Sequence, residues 1–570
     1  MLKADIVPDS AGRGRWGGSD DRSGRRVILS TRPEVTHDAD QRLPSLLLGL
    51  FASACVVYVF VSPYLRSNLQ LVTQIPDDAA YYFQIGRNYA DGWGLTFDGR
   101  NPTNGFQPLW QGLIAVMQLS LPFRHQPEQF VRAVLVFEAM LLTASLVVFA
   151  RTLRFLDSSL LRRLGMMLFL TAVYLSIRSG MESSLLVVLA AIAVYLQARN
   201  GELERWSGWR CAGFGIVLGG ILLARLDSIF WIAGLFPVLV LMTQNGEDGR
   251  LGVRLRKAFW IGLVCAVVLI PYLAGNYLTY HHLMPISGAL KISFPAVGYY
   301  ASDFVLSPDT RALLLLSVIL SAACLLWELG PWPHGRAGPL RGPACAMAVG
   351  VLLHAGWAVL FMKWAVFSWH FVLEGFAVCL LLPYLCLRMA VFVSPALQRW
   401  AVAAAITVLA CAAPLVVLHP DWRSDPSHSW QVASYQAAKW AKTNLPADAV
   451  IAMKDAGNMG FYSDRPVVNL DGLVNSFEYQ DSLKEGRFRE FLRHSGVSYF
   501  AQHAFWNDPD VNSGEYVSYT FRAFSRLYDR TGGELRLKRS EEVYRSPSYY
   551  DGPHKTVLVI WKIAPGDLDE

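Results

Sequence analysis

Apolar residues fall into long unbroken runs over the first three quarters of the chain, and the runs stop near Pro420. A membrane helix needs about 20 largely apolar residues, with about 17 to 25 tolerated. Runs of that kind predict spans near 43–64, 130–150, 162–177, 183–198, 211–224, 229–244, 258–277, 311–327, 343–362, 368–387 and 400–418. The stretch 108–123 is apolar but short, and it carries Gln111 and Gln118. It predicts a helix lying at the membrane surface.

Beyond Pro420 the pattern changes to short alternating elements. Ser429–Asn444 has helical spacing, as does Arg487–Ser495. Ala449–Met453, Arg465–Leu470 and Val497–Gln502 read as strands, and Tyr516–Tyr528 and Lys555–Ile563 as later strands or a strand–helix mix. The predicted fold class is therefore a polytopic α-helical membrane protein of about eleven spans with a C-terminal α/β domain. Residues 1–42 form a polar tail, 43–419 the membrane domain with a first loop at 65–129, and 420–570 the soluble domain.

Composition agrees. The 570 residues are 53% hydrophobic and only 17% charged, with a mean hydropathy of +0.30. Soluble domains carry about 25% charged residues. The net charge of +6 is small for this length and calls for no nucleic acid partner. The tail mixes Arg13, Arg15, Arg22, Arg25 and Arg26 with Asp20, Asp21, Asp38 and Asp40, a composition of disorder that lacks the pattern of a signal peptide. Eight cysteines sit in or beside apolar runs without metal-ligand spacing and read as packing residues.

Basic residues orient the scheme. Arg151, Arg154, Arg162 and Arg163 share one loop; Arg250, Arg254, Arg256 and Lys257 share another. Placing these in the cytoplasm predicts an N-in, C-out protein whose C-terminal domain is extracytoplasmic. Counting 108–123 as a crossing would put the first cluster outside.

That topology gathers the unusual polar residues on the outer face. Asp77 and Asp78 follow span one; Arg178 and Glu182 lie between spans three and four; Arg225 and Asp227 lie between five and six. His281, His282 and Lys291 follow span seven, with Lys363, Trp369 and His370 between nine and ten. Carboxylates are costly at a membrane edge unless they do chemistry or cap a helix. Tyr81, Tyr82 and Trp110 among Asn101, Thr103, Asn104 and Gln107 are side chains suited to a sugar, through stacking and hydrogen bonds. Each has a blander role available. Asp77 after Pro76 can cap a helix, Arg225 and Asp227 can pair structurally, Glu182 can serve Arg178 in the same way, and the histidines and aromatics can be interfacial residues.

In order along the chain, Asp77-Asp78, Asn101-Pro102-Thr103-Asn104-Gly105-Phe106-Gln107-Pro108-Leu109-Trp110, Gly180-Met181-Glu182-Ser183, Arg225-Leu226-Asp227 and Pro285-Ile286-Ser287-Gly288-Ala289-Leu290-Lys291 resemble the GT-C superfamily of integral membrane glycosyltransferases. They are similar in particular to its bacterial branch that includes cell-wall arabinofuranosyltransferases. Asp455-Ala456-Gly457 and Val468–Asn475 extend the resemblance, which covers roughly 43–500.

The resemblance implies a polyprenyl-phosphate-linked sugar as donor, an extracytoplasmic glycan or glycolipid as acceptor, and inverting transfer in the plasma membrane of a bacterium. It makes a first-loop aspartate, Asp77 or Asp78, the base. Lys291, Arg225, His281 and His282 are candidates for the departing phosphate. Glu182, Asp227, Trp369, His370, Asp455, Asp471 and Asn475 join the loop residues as sugar or acceptor contacts. Asp455 and Asp471 can equally be turn residues. No cofactor is required, although Asp77, Asp78 and Glu182 are side chains able to hold a divalent cation. A flippase for a lipid-linked sugar, or a sensor with an outer binding domain, are the competing classes.

Overall fold

A computed structural model describes residues 36–177, 179–242, 251–297, 308–332, 338–364, 366–390, 392–418, 429–506, 509–523, 530–551 and 554–568. Most of the predicted N-terminal tail and Arg178 lie outside them; a helix runs from Thr36 to Leu65, so the last residues of the tail are helical.

Every predicted span coincides with a helix, but the helices differ in reach. Among the described residues eight are long and apolar enough to cross a membrane: Leu43–Leu65, Pro127–Leu153, Ser183–Asn200, Leu251–Tyr280, Thr310–Leu329, Arg341–Phe361, Ser368–Met389 and Pro395–Ala413. The protein is membrane-embedded. The other three predicted spans are shorter. Gly208–Ala224 and Ile229–Leu241 meet at the Arg225–Asp227 turn, and Ser159–Leu168 continues into a wider turn at Phe169–Tyr174. At 1.5 Å per residue the first two reach about 25 and 20 Å against a hydrocarbon core of about 30 Å. The interrupting polar turn is what shortens them.

The stretch expected to lie at the surface is the helix Pro108–Ser120, packed beside the first-loop helix Asp77–Ala90. Proline at its first position suits a helix start, because the missing N–H would have had no partner there. Trp110 and Gln111 are buried in its first turn. Gln118, whose side-chain amide donates to the Phe83 carbonyl at 3.3 Å, ties the two helices together.

The C-terminal part is an α/β unit, as predicted. Ser429 caps the helix Trp430–Asn444 by accepting from the Val432 N–H at 3.3 Å. A mixed sheet follows, built from β1 (Ile451–Met453), β2 (Val467–Asn469), β3 (Tyr499–Phe505), β4 (Tyr516–Ala523) and β5 (Arg530–Lys538) as a separate antiparallel pair, then β6 (Glu542–Arg545), β7 (Tyr549–Asp551) and β8 (His554–Lys562). The main sheet runs β2-β1-β3-β8-β6, with β7 also on β8. The β1–β2 and β1–β3 pairs are parallel and the partners of β8 antiparallel. The short β1 and β2 are wholly buried, which explains why they read as continuous apolar runs. All eight cysteines are free thiols.

The sheet's loops meet the segment 77–105 at two close contacts, one on the helix Asp77–Ala90 and one in the loop after it. A Cβ on Gly457 would lie 2.1 Å from the Asp77 carbonyl oxygen, and one on Gly105 would lie 1.8 Å from the Leu473 carbonyl oxygen. Only glycine permits either approach. The apolar core formed there mixes both parts, with Phe83 against Phe130 and Phe461.

Candidate functional site

The two adjacent acids part company. Asp77 is 4% exposed and points into the C-terminal domain, where its two oxygens accept the Gly457 N–H at 2.6 Å and the Asn458 N–H at 2.7 Å. Burial raises its pKa well above the ordinary carboxylate range, against the lowering effect of those two N–H groups. Asp78 has turned about 100° further round the helix. Its carboxylate lines a cavity of about 160 Å³ and has no hydrogen-bond partner among the described residues. Burial raises its pKa; the Lys291 ammonium pulls it down and Asp471 pushes it up.

Lys291 ends the short helix Ile286–Lys291 and lines the same cavity. Among the described residues its ammonium forms no ion pair. Arg225 lines the cavity too, but its guanidinium is fully engaged. It grips Asp227 in a fork (Nε to Oδ1 2.8 Å, Nη2 to Oδ2 2.9 Å) and donates through Nη1 to Glu182 at 3.1 Å and to the Trp369 carbonyl at 2.7 Å. Burial alone would lower the Arg225 pKa; Asp227 and Glu182 outweigh it and raise it. Glu182 is itself raised by burial, opposed by Arg225. Glu138 fixes that loop by accepting the Gly180 N–H at 2.9 Å.

The remaining predicted residues divide between three places. Tyr81, Tyr82, Gln107, Trp369 and His370 line the cavity beside Glu182 and Asp227. Tyr82 donates to Glu182 at 3.1 Å, and Gln107 accepts the Leu226 N–H at 3.1 Å, which clips the first loop to the Arg225 turn. Trp369 stacks on Phe367 with centroids 4.5 Å apart. Asn104 and Trp110 hold the frame: Asn104 accepts the Ile286 N–H at 2.9 Å, and the Trp110 indole donates to the Gly180 carbonyl at 3.1 Å. The Thr103 carbonyl accepts from the Tyr280 hydroxyl at 2.8 Å, while Asn101 is occupied with Asp98. His281 and His282 are not brought to the cavity; both are exposed and His282 stacks on Phe477.

Asp455, Asp471 and Asn475 form the wall facing the helix Asp77–Ala90. Asp471 accepts from the Tyr81 hydroxyl at 3.1 Å, and Asn475 donates to the Asn469 carbonyl at 2.7 Å. Asp455 adopts φ +46° and is exposed. The surrounding protein, then Asp471 and Asp78, raise its pKa to about 7. Of the three side chains considered for a cation, Asp77 enters the C-terminal domain, while Asp78 and Glu182 line the cavity, Glu182 held there by Arg225.

Residues 423–543 match a family model described as a domain of unknown function (DUF8728). No curated protein matches the chain. Solved structures are similar too, among them two from Archaeoglobus fulgidus. One is the archaeal oligosaccharyltransferase AglB from Archaeoglobus fulgidus in complex with an inhibitory peptide and a dolichol-phosphate, at 12% identity and a TM-score of 0.45 over 79% of this chain and 70% of that one. The other is the Archaeoglobus fulgidus oligosaccharyltransferase tethered by a disulfide bond to an acceptor peptide containing the NVT sequon. It has 12% identity and a TM-score of 0.40 over 78% of this chain and 69% of that one. At this likeness neither substrate nor reaction passes to this chain.

Two residues of the site were missed in the sequence. His354, inside the helix Arg341–Phe361, lines the cavity and lies 3.8 Å from Asp227; its Nδ1 meets Glu374 at 2.6 Å. Glu374 is wholly buried within the next membrane helix. The signal was present, since an ionisable residue within an apolar span marks a site by default.

Proposed function

We propose that the protein is a membrane glycosyltransferase of the GT-C kind, moving one sugar from a polyprenyl-phosphate donor to an extracytoplasmic glycan or glycolipid hydroxyl. The observation that carries this reading is the presence, in one cavity, of the Asp78 carboxylate, which has no hydrogen-bond partner among the described residues, and the Lys291 ammonium beside an apolar sill of Ile292, Trp357 and Met362.

Each part has a task. Asp78 takes the proton from the acceptor hydroxyl as that oxygen bonds to the anomeric carbon, a contribution of about 100- to 10,000-fold. The bond from that carbon to the phosphate oxygen breaks, and the lipid phosphate leaves with the electron pair. Lys291 stabilises the charge that gathers on it. The apolar sill accepts the start of the prenyl chain. Tyr81, Tyr82 and Trp369 supply rings and hydroxyls for the sugar. Arg225 positions Glu182 and Asp227 and leaves the phosphate to Lys291. Single-step displacement from the face opposite the phosphate inverts the anomeric centre. The topology that puts this cavity outside the cytoplasm, in a bacterial plasma membrane, belongs to the same proposal.

A radiolabelled polyprenyl-phosphate sugar, given to purified protein with candidate acceptors, tests it. Label reaching a glycan or glycolipid supports transfer. Label that only changes leaflets makes the protein a flippase.

A further inference from the structure

A second and larger space, about 770 Å³, opens between the surface helix Pro108–Ser120 and the last turns of the membrane helix Leu251–Tyr280. Four features make it more than a gap between helices.

The first is depth. Its wall on the membrane helix runs from Pro271 to Tyr280. At 1.5 Å per residue that is about 14 Å, near half the thickness of a hydrocarbon core. A ligand filling it must be partly apolar, and Val116 and Leu119 present 58% and 52% of their surface along it.

The second is small residues where bulk would close it. Gly112 and Gly275 face each other's helices across the groove, and a Cβ on either would meet nothing within 4 Å.

The third is the polar chemistry of its wall. Asn104 and Gln111 are 1% and 2% exposed. Asn104 spends its oxygen on the Ile286 N–H and Gln111 its amide nitrogen on the Tyr82 carbonyl. That leaves Asn104 Nδ2 and Gln111 Oε1 without partners among the described residues, one donor and one acceptor. Hydroxyls can accept from the one and donate to the other; a phosphate offers no proton to Gln111 Oε1. Trp93 and Tyr89, about half exposed at the rim, add ring faces that suit a sugar.

The fourth is continuity. Phe106 lines both this groove and the cavity holding Asp78. Lys291 and the apolar sill lie on the cavity side of that ring, where the donor's phosphate and chain are accommodated.

We infer that the groove binds the acceptor, and that the acceptor is a lipid with a hydroxylated sugar head, its tail between Gly112 and Gly275 and its head passing Phe106 towards Asp78. This rests on the transferase reading and narrows it: the acceptor is anchored in the bilayer, and donor and acceptor chains enter by separate doors.

The test uses full-length protein in nanodiscs with a monohexosyl diacylglycerol carrying a diazirine in one acyl chain. Photolabelling should map to 108–120 and 271–280 and should fall at least tenfold in both Gly112→Phe and Gly275→Phe. Unchanged labelling in these variants overturns the inference. So does equal labelling by diazirine phosphatidylglycerol, which would make the groove a site for bulk lipid, or preferential labelling by a diazirine polyprenyl phosphate, which would give it to the donor. Asp78→Asn leaves the groove wall intact and should label as wild type, so a failed transfer assay and a failed groove are told apart.

Discussion

Replacing Asp77 by alanine should loosen the C-terminal domain from the first-loop helix before it touches chemistry. The carboxylate accepts two backbone N–H groups at 2.6 and 2.7 Å, both buried. A buried donor left without its acceptor costs about 1–3 kcal/mol, so stranding both amides costs docking about 2–6 kcal/mol. The Gly457 and Asn458 amides have no substitute acceptor in an alanine variant, and the Gly457 contact leaves no room for water to reach them without separation of the two surfaces. Hydrogen exchange at these two amides reads the effect directly. At about 1.4 kcal/mol per decade, 3 kcal/mol corresponds to exchange more than 100-fold faster. Native protection in Asp77→Ala, together with lost transfer, would remove the docking role and return the role of base to Asp77.

Three further outcomes follow from the same geometry. Lys291→Met should raise the donor KM at least tenfold and, because Lys291 lowers the Asp78 pKa, move the acidic limb of the kcat/KM profile to higher pH; unchanged donor kinetics and an unmoved limb would remove Lys291 from the phosphate. Asp455→Asn should raise Tm at pH 8 and leave it nearly unchanged at pH 4. A carboxyl whose folded pKa is about 7, above the ordinary value of about 3.9, stabilises below about pH 4 and loses that contribution as pH rises through 7. A Tm difference constant from pH 4 to 8 would contradict this. Arg225→Ala should cost about 3–5 kcal/mol, since it strands a buried carboxylate at Glu182; thermal unfolding as late as the parent's would show that the pair is not structural.

The apolar helices were legible because a bilayer demands contiguous apolar residues, and each predicted run became a helix. What length alone could not show is that the Arg225–Asp227 turn divides two helices too short to cross unaided. In the C-terminal domain the buried β1, β2 and β3 were visible as apolar runs. β5, β6 and β7 were not, because Gly532 and Gly533 interrupt one and the others are short and largely uncovered, so they carry no apolar run. The site's outline was legible from Asp78, Lys291 and the aromatic loop. The division of labour between Asp77 and Asp78 was not, since it is set by Gly457 and Asn458, about 380 residues along the chain. His281 and His282 looked like phosphate ligands by loop position alone, and the turn at His281, with φ +58°, carries them away from the cavity.

In the proposed transfer everything turns on Asp78 removing the acceptor proton. Single-turnover transfer from a labelled polyprenyl-phosphate sugar by Asp78→Asn, with donor binding measured alongside, tests it most directly. The rate should fall about 100-fold or more, with donor affinity within about twofold. Transfer at the wild-type rate would contradict it.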